Sequence, residues 1–348
     1  MLAWARNVTL IVPAIFGGIV VSVESASTAP ATTGVEQHVD AVGVLATGRL
    51  AVVVNPSKFD DLDALKAAVG GVCRGAGWDE VTWYETSTED PGEGQARQAL
   101  ADGATLVCSL GGDGTVRSVA SALVDTGVAL GLLPGGTGNL LARNLGLPVD
   151  DPLAALEVVL TGTTRRVDVG AVMWDDDAEE IFLVMAGMGM DARMTADADE
   201  RIKNAVGWPA YLLSGVRALF DPGFAVRAST HDQHARSHRA QMVVVGNCGQ
   251  LPGGLELIPD ARLDDGKLDV VLVEPRGILG WAAMLRDLAT ARQRDHRDLR
   301  RFSSDSIDVV TDRPILAELD GDAVGPRQRM ATRARPGALL VKVPAVEG

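Results

Sequence analysis

The chain has 348 residues, which is long for one hydrophobic core and suits two domains. With 47% hydrophobic and 22% charged residues it has a globular composition, so wholesale disorder is excluded. A formal net charge of −14 argues against a general nucleic-acid binder and against an anionic membrane as partner, except where basic residues cluster. Residues 8–23 form an apolar run broken at Pro13, with Arg6 before it, Glu24 after it, and a Ser/Thr/Ala/Pro-rich stretch reaching Gly48. Three readings of residues 1–48 stay open: a peripheral membrane-binding helix, an anchor or signal-like segment, or sequence upstream of the true start codon. In each of them residues 28–48 are a linker.

Arg49-Leu50-Ala51-Val52-Val53-Val54-Asn55-Pro56 reads as a buried strand that ends in a turn. Asp60 is placed to cap a helix with Leu62, Leu65, Val69 and Val72 on one face. A strand at 81–84 and a helix at 95–101 follow, and the alternation continues to about Thr161. That pattern predicts a doubly wound parallel α/β domain over 49–164. Within it, Val107-Cys108-Ser109-Leu110-Gly111-Gly112-Asp113-Gly114-Thr115 and Leu132-Leu133-Pro134-Gly135-Gly136-Thr137-Gly138-Asn139 each run from apolar strand into glycines and then into a helical pattern. Glycines let backbone N–H groups face an anion without an intervening Cβ, and a following helix adds its positive end, so phosphate is the expected guest of one shared crevice. Either loop alone is commonly just a tight turn; together, with Asp113, Thr137 and Asn139 inside them, they point to a site. Cys73, Cys108 and Cys248 are few, odd in number and far apart, as expected of reduced thiols in a cytosolic protein.

From about Arg165 the pattern changes to short strands at 167–172, 181–185, 224–228 and 241–245, which predicts a mainly antiparallel β domain over 165–336. A helical island at 191–220 interrupts it. Ile278, Trp281, Leu285 and Leu288 mark one face of a further helix, and Arg292, Arg294, Arg297, Arg300 and Arg301 continue from it as a solvated helical face or a docking surface for anionic headgroups. Asp260, Asp264, Asp265 and Asp269 crowd the segment 259–269. Such a segment is usually a solvated loop, yet hard oxygen ligands at this spacing also suit magnesium or calcium. Glu318-Leu319-Asp320-Gly321-Asp322 reads as a turn between two strands. His231, His234 and His238 fall among polar residues expected to form an exposed hairpin loop, with no metal role.

Gly111-Gly112-Asp113-Gly114-Thr115 followed by Pro134-Gly135-Gly136-Thr137-Gly138-Asn139 resembles the catalytic domain of the diacylglycerol kinase family, particularly bacterial lipid kinases related to sphingosine kinases. The first motif is shared with NAD kinases and, loosely, phosphofructokinases; the second separates lipid kinases from them. The resemblance implies α/β plus β architecture: an NAD kinase/phosphofructokinase-like nucleotide-binding domain, a β-sandwich lipid-acceptor domain, and a return of residues 337–348 to the first. It implies an ATP-dependent lipid kinase with Mg2+, acting on diacylglycerol or a related lipid at a membrane surface. An NAD kinase-like enzyme and a non-catalytic lipid- or nucleotide-binding relative are the alternatives. Nucleotide contacts are implied for Asn55, Pro56, Thr86, Gly111, Gly112, Asp113, Gly114, Thr115, Gly136, Thr137, Gly138 and Asn139. Phe59 stands where the family's Asn-Pro-x-x-Gly turn has its glycine. Lys203, Gly207, Ala210, Tyr211 and Leu212 resemble the lipid side of the cleft. Asp265, with backbone carbonyls of Arg262 and Lys267, matches a structural magnesium loop, and Asp264 would link that ion through water to the active site. Where the family has Asp-Gly-Glu with an acidic general base, this chain has Asp320-Gly321-Asp322, so either carboxylate is a candidate beside Asp113.

Overall fold

The structure is a computed structural model that describes residues 48–78, 80–189, 223–230, 233–249, 258, 261–274 and 299–345. The expectations for residues 1–47, for 191–220 with Lys203, Gly207, Ala210, Tyr211 and Leu212, for Asp260, for the apolar face from Ile278 to Leu288, and for Arg292, Arg294 and Arg297 lie outside the described residues.

The first lobe is built from β1 (Leu50–Val54), α1 (Leu62–Gly75), β2 (Val81–Glu85), α2 (Glu93–Ala101), β3 (Leu106–Gly111), α3 (Asp113–Leu123), β4 (Ala129–Pro134), α4 (Leu140–Asn144) and α5 (Pro152–Thr161). Its strands pair in parallel, in the order β2, β1, β3, β4. Such strands are buried on both faces, and period-2 alternation sends neighbours to opposite layers. Leu50, Val52 and Val54 meet Val69 and Cys73 of α1 and Leu156 and Val159 of α5. Ala51 and Val53 face the opposite layer with Ala96 and Ala99 of α2 and Val119 and Leu123 of α3. Asp61, rather than Asp60, caps α1 by accepting the Ala64 N–H at 2.9 Å, because the capping residue must directly precede the first helical one.

The second lobe holds β5 (Thr163–Trp174), β6 (Glu180–Phe182), β7 (Met185–Met188), β8 (Phe224–Thr230), β9 (Gln233–Ala240), β10 (Met242–Gly246), β11 (Leu268–Val273), β12 (Leu299–Ser304), β13 (Ser306–Leu319) and β14 (Asp322–Val343). Its pairs are antiparallel, and they wrap a core of Trp174, Phe182, Met188, Val226, Leu268, Leu272 and Leu319 in a sandwich-like arrangement. Register shifts between Val310 and Ile315 and between Arg335 and Leu339 bend the two longest strands. Beyond its bend β14 runs parallel to β4 at Leu340 and Val341, so one strand serves both lobes.

Three segments differ from expectation. The single strand expected at 181–185 is two, β6 and β7, parted where the amides of Leu183 and Val184 turn to Asp320. The loop expected around His238 is β9; its charged residues hide the alternation, and His238 Nδ1 lies 3.4 Å from Glu274. Arg300 and Arg301 sit on β12 and not on a helix. Cys73, Cys108 and Cys248 are free and buried. No helix among the described residues is long and apolar enough to cross a membrane.

Two buried carboxyls bear on the stability of the second lobe. Asp168 on β5, 2% exposed, accepts the Gly266 N–H at 2.6 Å and the Gly337 N–H at 2.7 Å, joining the acidic loop to the β14 bend. Asp168→Ala would leave two backbone donors without an acceptor; we expect it to lower stability by about 3 kcal/mol, read as a fall in the urea midpoint, and an unchanged midpoint would refute the role. Glu318 on β13 is also 2% exposed, and its Oε1 has no hydrogen-bond partner. Burial, and then the nearby Asp320 charge, push its carboxyl up from 4.5 to about 7. The folded state thus holds a proton that the unfolded state releases earlier, so stability should fall as pH rises from about 4.5 to about 7. Unfolding at pH 5 and pH 8 tests this: Glu318→Gln should flatten the fall, by on the order of 2 kcal/mol.

Candidate active site

The chain order β2, β1, β3, β4 reverses direction between β1 and β3, and ligands of open α/β sheets gather at the carboxyl ends of the strands flanking such a reversal. Asn55 and Gly111 stand there, and the Asn55 N–H donates to the Leu110 carbonyl at 3.0 Å. The Asn55 carboxamide oxygen accepts the Ser57 N–H at 3.1 Å and the Ser57 hydroxyl at 2.7 Å, which closes the short turn Pro56–Lys58. Thr86 lies at the same edge, its N–H bound to the Val54 carbonyl at 2.9 Å. The Phe59 ring reaches over the second glycine loop: a Cβ on Gly135 would lie 2.7 Å from Phe59 Cζ. This half-buried aromatic occupies space that a glycine in the turn would leave open.

The two glycine loops are cross-linked. The Gly135 N–H donates to the Gly111 carbonyl at 2.9 Å, and a Cβ on Gly136 would fall 2.7 Å from the Gly112 Cα, so the second loop has no room for a side chain where it touches the first. Asp113 Oδ1 accepts the Leu140 N–H at 2.6 Å. Burial pushes the Asp113 carboxyl up to about 6; the Leu140 N–H opposes that shift and the Asp320 charge adds to it. Asn139 is buried with a left-handed backbone, φ 48°, which asparagine tolerates better than most residues. Its carboxamide accepts the Gly136 N–H at 3.2 Å and donates to the Gly136 carbonyl at 2.8 Å. Asn139 therefore shapes the loop, and the first amide of α4 is held by Asp113. The α3 end differs: Gly112 has no side chain to cap it, and Gly114 stands in its first turn. Thr115 packs under Gly111, Thr137 is exposed, and Gly138 touches Asp113 Oδ2.

The acidic turn between β13 and β14 comes to this place. Asp320 has φ 49° and is 4% exposed; its Oδ2 accepts the Leu183 N–H at 2.9 Å, and its Oδ1 accepts those of Val184 at 2.8 Å and Met185 at 3.0 Å. Burial raises its carboxyl, while the Arg117 charge and the three N–H bonds pull the other way. Asp322 points outward with its side chain 56% exposed, and its Oδ2 lies 3.1 Å from where a Cβ on Gly114 would be. Arg117 of α3 binds the same turn, donating to the Leu319 carbonyl at 2.5 Å and to Asp322 Oδ2 at 2.8 Å. Asp322 thus stands beside the first turn of α3, and Asp320, buried beneath the turn, is near enough for its charge to act on Asp113.

The loop 262–267 lies at one remove. Asp265 accepts the Lys267 N–H at 3.0 Å, and Asp264 is paired with Arg165 at 2.7 Å and with Arg262 at 3.6 Å. These two arginines hold the Asp264 carboxyl below the usual range. No cluster of three or more His, Cys, Asp or Glu side chains stands ready for a metal among the described residues. One exposed carboxylate with backbone carbonyls fits a hard cation if water completes its shell, and Asp264, paired with Arg165, keeps 35% of its side chain exposed. The loop reaches the site through protein: Asp168 binds Gly266, the Asn247 carboxamide donates to the Asp168 carbonyl at 2.9 Å and the Leu183 carbonyl at 3.0 Å, and the Leu183 N–H binds Asp320.

Sequence reasoning missed Arg117, Arg143, Asp168, Asn247 and Glu318. Arg117 follows Asp113 by one helical turn and Arg143, whose Nε donates to the Gly138 carbonyl at 2.8 Å, follows Asn139 by one, a spacing that marks both as neighbours of the loops.

Residues 49–172 match the family described as diacylglycerol kinase catalytic domain, and residues 184–343 match the YegS C-terminal NAD kinase beta sandwich-like domain. A Pseudomonas fluorescens protein named "Probable lipid kinase YegS-like" is 34% identical over 281 residues, 78% of this chain and 88% of its own length. One of the same name from Xanthomonas axonopodis is 33% identical over 285 residues, again 78% and 88% of the two chains. The crystal structure of a diacylglycerol kinase from Bacillus anthracis, 21% identical, shares the fold with a TM-score of 0.65 over 85% of this chain and 97% of that one. Together with the two cross-linked glycine loops and the acidic turn beside them, these matches show that the chain belongs to the YegS-like lipid kinase family, with its diacylglycerol kinase catalytic domain.

Proposed function

We propose that the chain transfers the γ-phosphate of ATP to a primary hydroxyl of a membrane lipid, with diacylglycerol as the first acceptor to test. The observation that carries this is the Asp322 carboxylate, outward-facing and held beside Gly114 in the first turn of α3. Phosphoryl transfer passes through a loose transition state, so the protein's tasks are to position the reactants and neutralise charge. Backbone amides of Gly112, Gly114, Thr137 and Gly138 receive the triphosphate, and Asp113 fixes the second loop against the first. A divalent cation bound with the nucleotide supplies charge neutralisation, since the chain has no Gly-x-x-x-x-Gly-Lys-Ser/Thr lysine. Asp322 accepts the proton of the attacking hydroxyl. Asp320 cannot take that part from where it stands: both its oxygens are bound to the amides of residues 183–185 and it is shut from solvent. Its part is to anchor the turn.

Labelled ATP incubated with a total lipid extract, followed by identification of the phosphorylated species, tests the reaction; no labelled lipid would overturn it. The division of labour between the carboxylates has its own test. Asp322→Asn should leave the thermal midpoint unchanged and lower kcat by about 100-fold or more, the contribution usual for a general base. Asp320→Asn places an amide donor against backbone donors, so it should lose about 2–3 kcal/mol of stability as well as turnover. Wild-type turnover in Asp322→Asn, or a fully stable Asp320→Asn, would reverse the assignment.

A further inference from the structure

We infer that Arg117 is a positioning residue for the proposed transfer, tying the acidic turn to the first glycine loop so that Asp322 faces the acceptor. The inference rests on the lipid kinase reading above and adds to it a group that neither the glycine motifs nor the Asp-Gly-Asp turn contains. Arg117 stands one helical turn after Asp113, on the helix that begins in the first loop. Its planar fork makes two bonds to one turn, Nη1 to the Leu319 carbonyl at 2.5 Å and Nη2 to Asp322 Oδ2 at 2.8 Å. Two-point binding by a rigid fork fixes direction as well as distance, which one ammonium group cannot do. The Arg117 side chain is 18% exposed and that of Asp322 is 56% exposed, so the pair is open to solvent screening on one side and its contribution is direction more than Coulomb strength.

Charge argues the same way. The Asp320 charge acts on both Asp113 and Glu318, Asp322 follows two residues on, and the Arg117 cation opposes the burial that raises the Asp320 carboxyl. A triphosphate arriving at α3 would repel a loosely held Asp322. With its Oδ2 bound to Arg117 beside Gly114, the carboxylate is kept in place against that repulsion. The shorter aspartate, where the family has glutamate, makes the tie more consequential, because its reach depends on the turn being drawn toward α3.

The test is a double-mutant cycle on lipid phosphorylation. Arg117→Met should lower kcat by about ten-fold or more with the KM for ATP held within about two-fold, since a positioning group acts on the transition state rather than on uniform binding. Arg117→Lys, which keeps the charge and guards against a folding defect in the methionine variant, should recover part of that loss. The effect should be non-additive: Arg117→Met in an Asp322→Asn background should cost less than about two-fold more, because the carboxylate it would aim is gone. A kcat unchanged in Arg117→Met, or a loss that adds in full to that of Asp322→Asn, would overturn the inference while leaving the lipid kinase reading intact. A wild-type chain that labels no lipid would overturn both.

Discussion

The hydrogen bond from the Leu140 amide to the Asp113 carboxylate holds the site together, because it ties two loops that leave the sheet from different strands. The glycines make that approach sterically open, and the Gly135 to Gly111 bond gives it a second point. Without the carboxylate, the loop before α4 would have to find another acceptor for a buried amide, and the crevice between the loops would lose its shape. Asp113 therefore has a structural duty whatever its second oxygen does. One of its oxygens is spent on architecture, and its raised proton affinity reflects the burial that this task requires.

Asp320 performs the matching task in the second lobe. A carboxylate accepting three successive backbone amides fixes the break between β6 and β7, and through Leu183 and Asn247 it is joined to Asp168 and the acidic loop. With a floor of this kind the next acidic residue, Asp322, can stand exposed, tied only to Arg117. One carboxylate is buried against backbone amides, and its neighbour two positions on is outward-facing and tied only to Arg117; environment alone separates them.

Much of this was legible in the sequence. Parallel strands buried on both faces appear as continuous apolar runs, and their abrupt change to glycine at Gly111 and Gly135 marks the carboxyl ends of the strands, where ligands of open α/β sheets gather. The Asp-Gly turn near the C-terminus was equally visible. That Asp320 points inward was not, since it follows from a left-handed backbone at φ 49° and from amides more than a hundred residues away. Arg117 reads locally as an ordinary helical charge, and its partners lie 202 and 205 residues further along. Asp168 and Glu318 occupy strand positions where alternation alone would predict nothing unusual, and β9 was hidden because Gln233–Ala240 carries charge on both faces.

The 22-residue strand β14 runs along β13 and β5 and then enters the first lobe beside β4. A chain made from its N-terminus completes β1 to β4 long before that strand exists, so on the ribosome the nucleotide lobe waits with one margin of its sheet unpaired. Because that strand closes both lobes, its pairing spans a long stretch of polypeptide, and neither lobe is expected to behave as an autonomous folding unit.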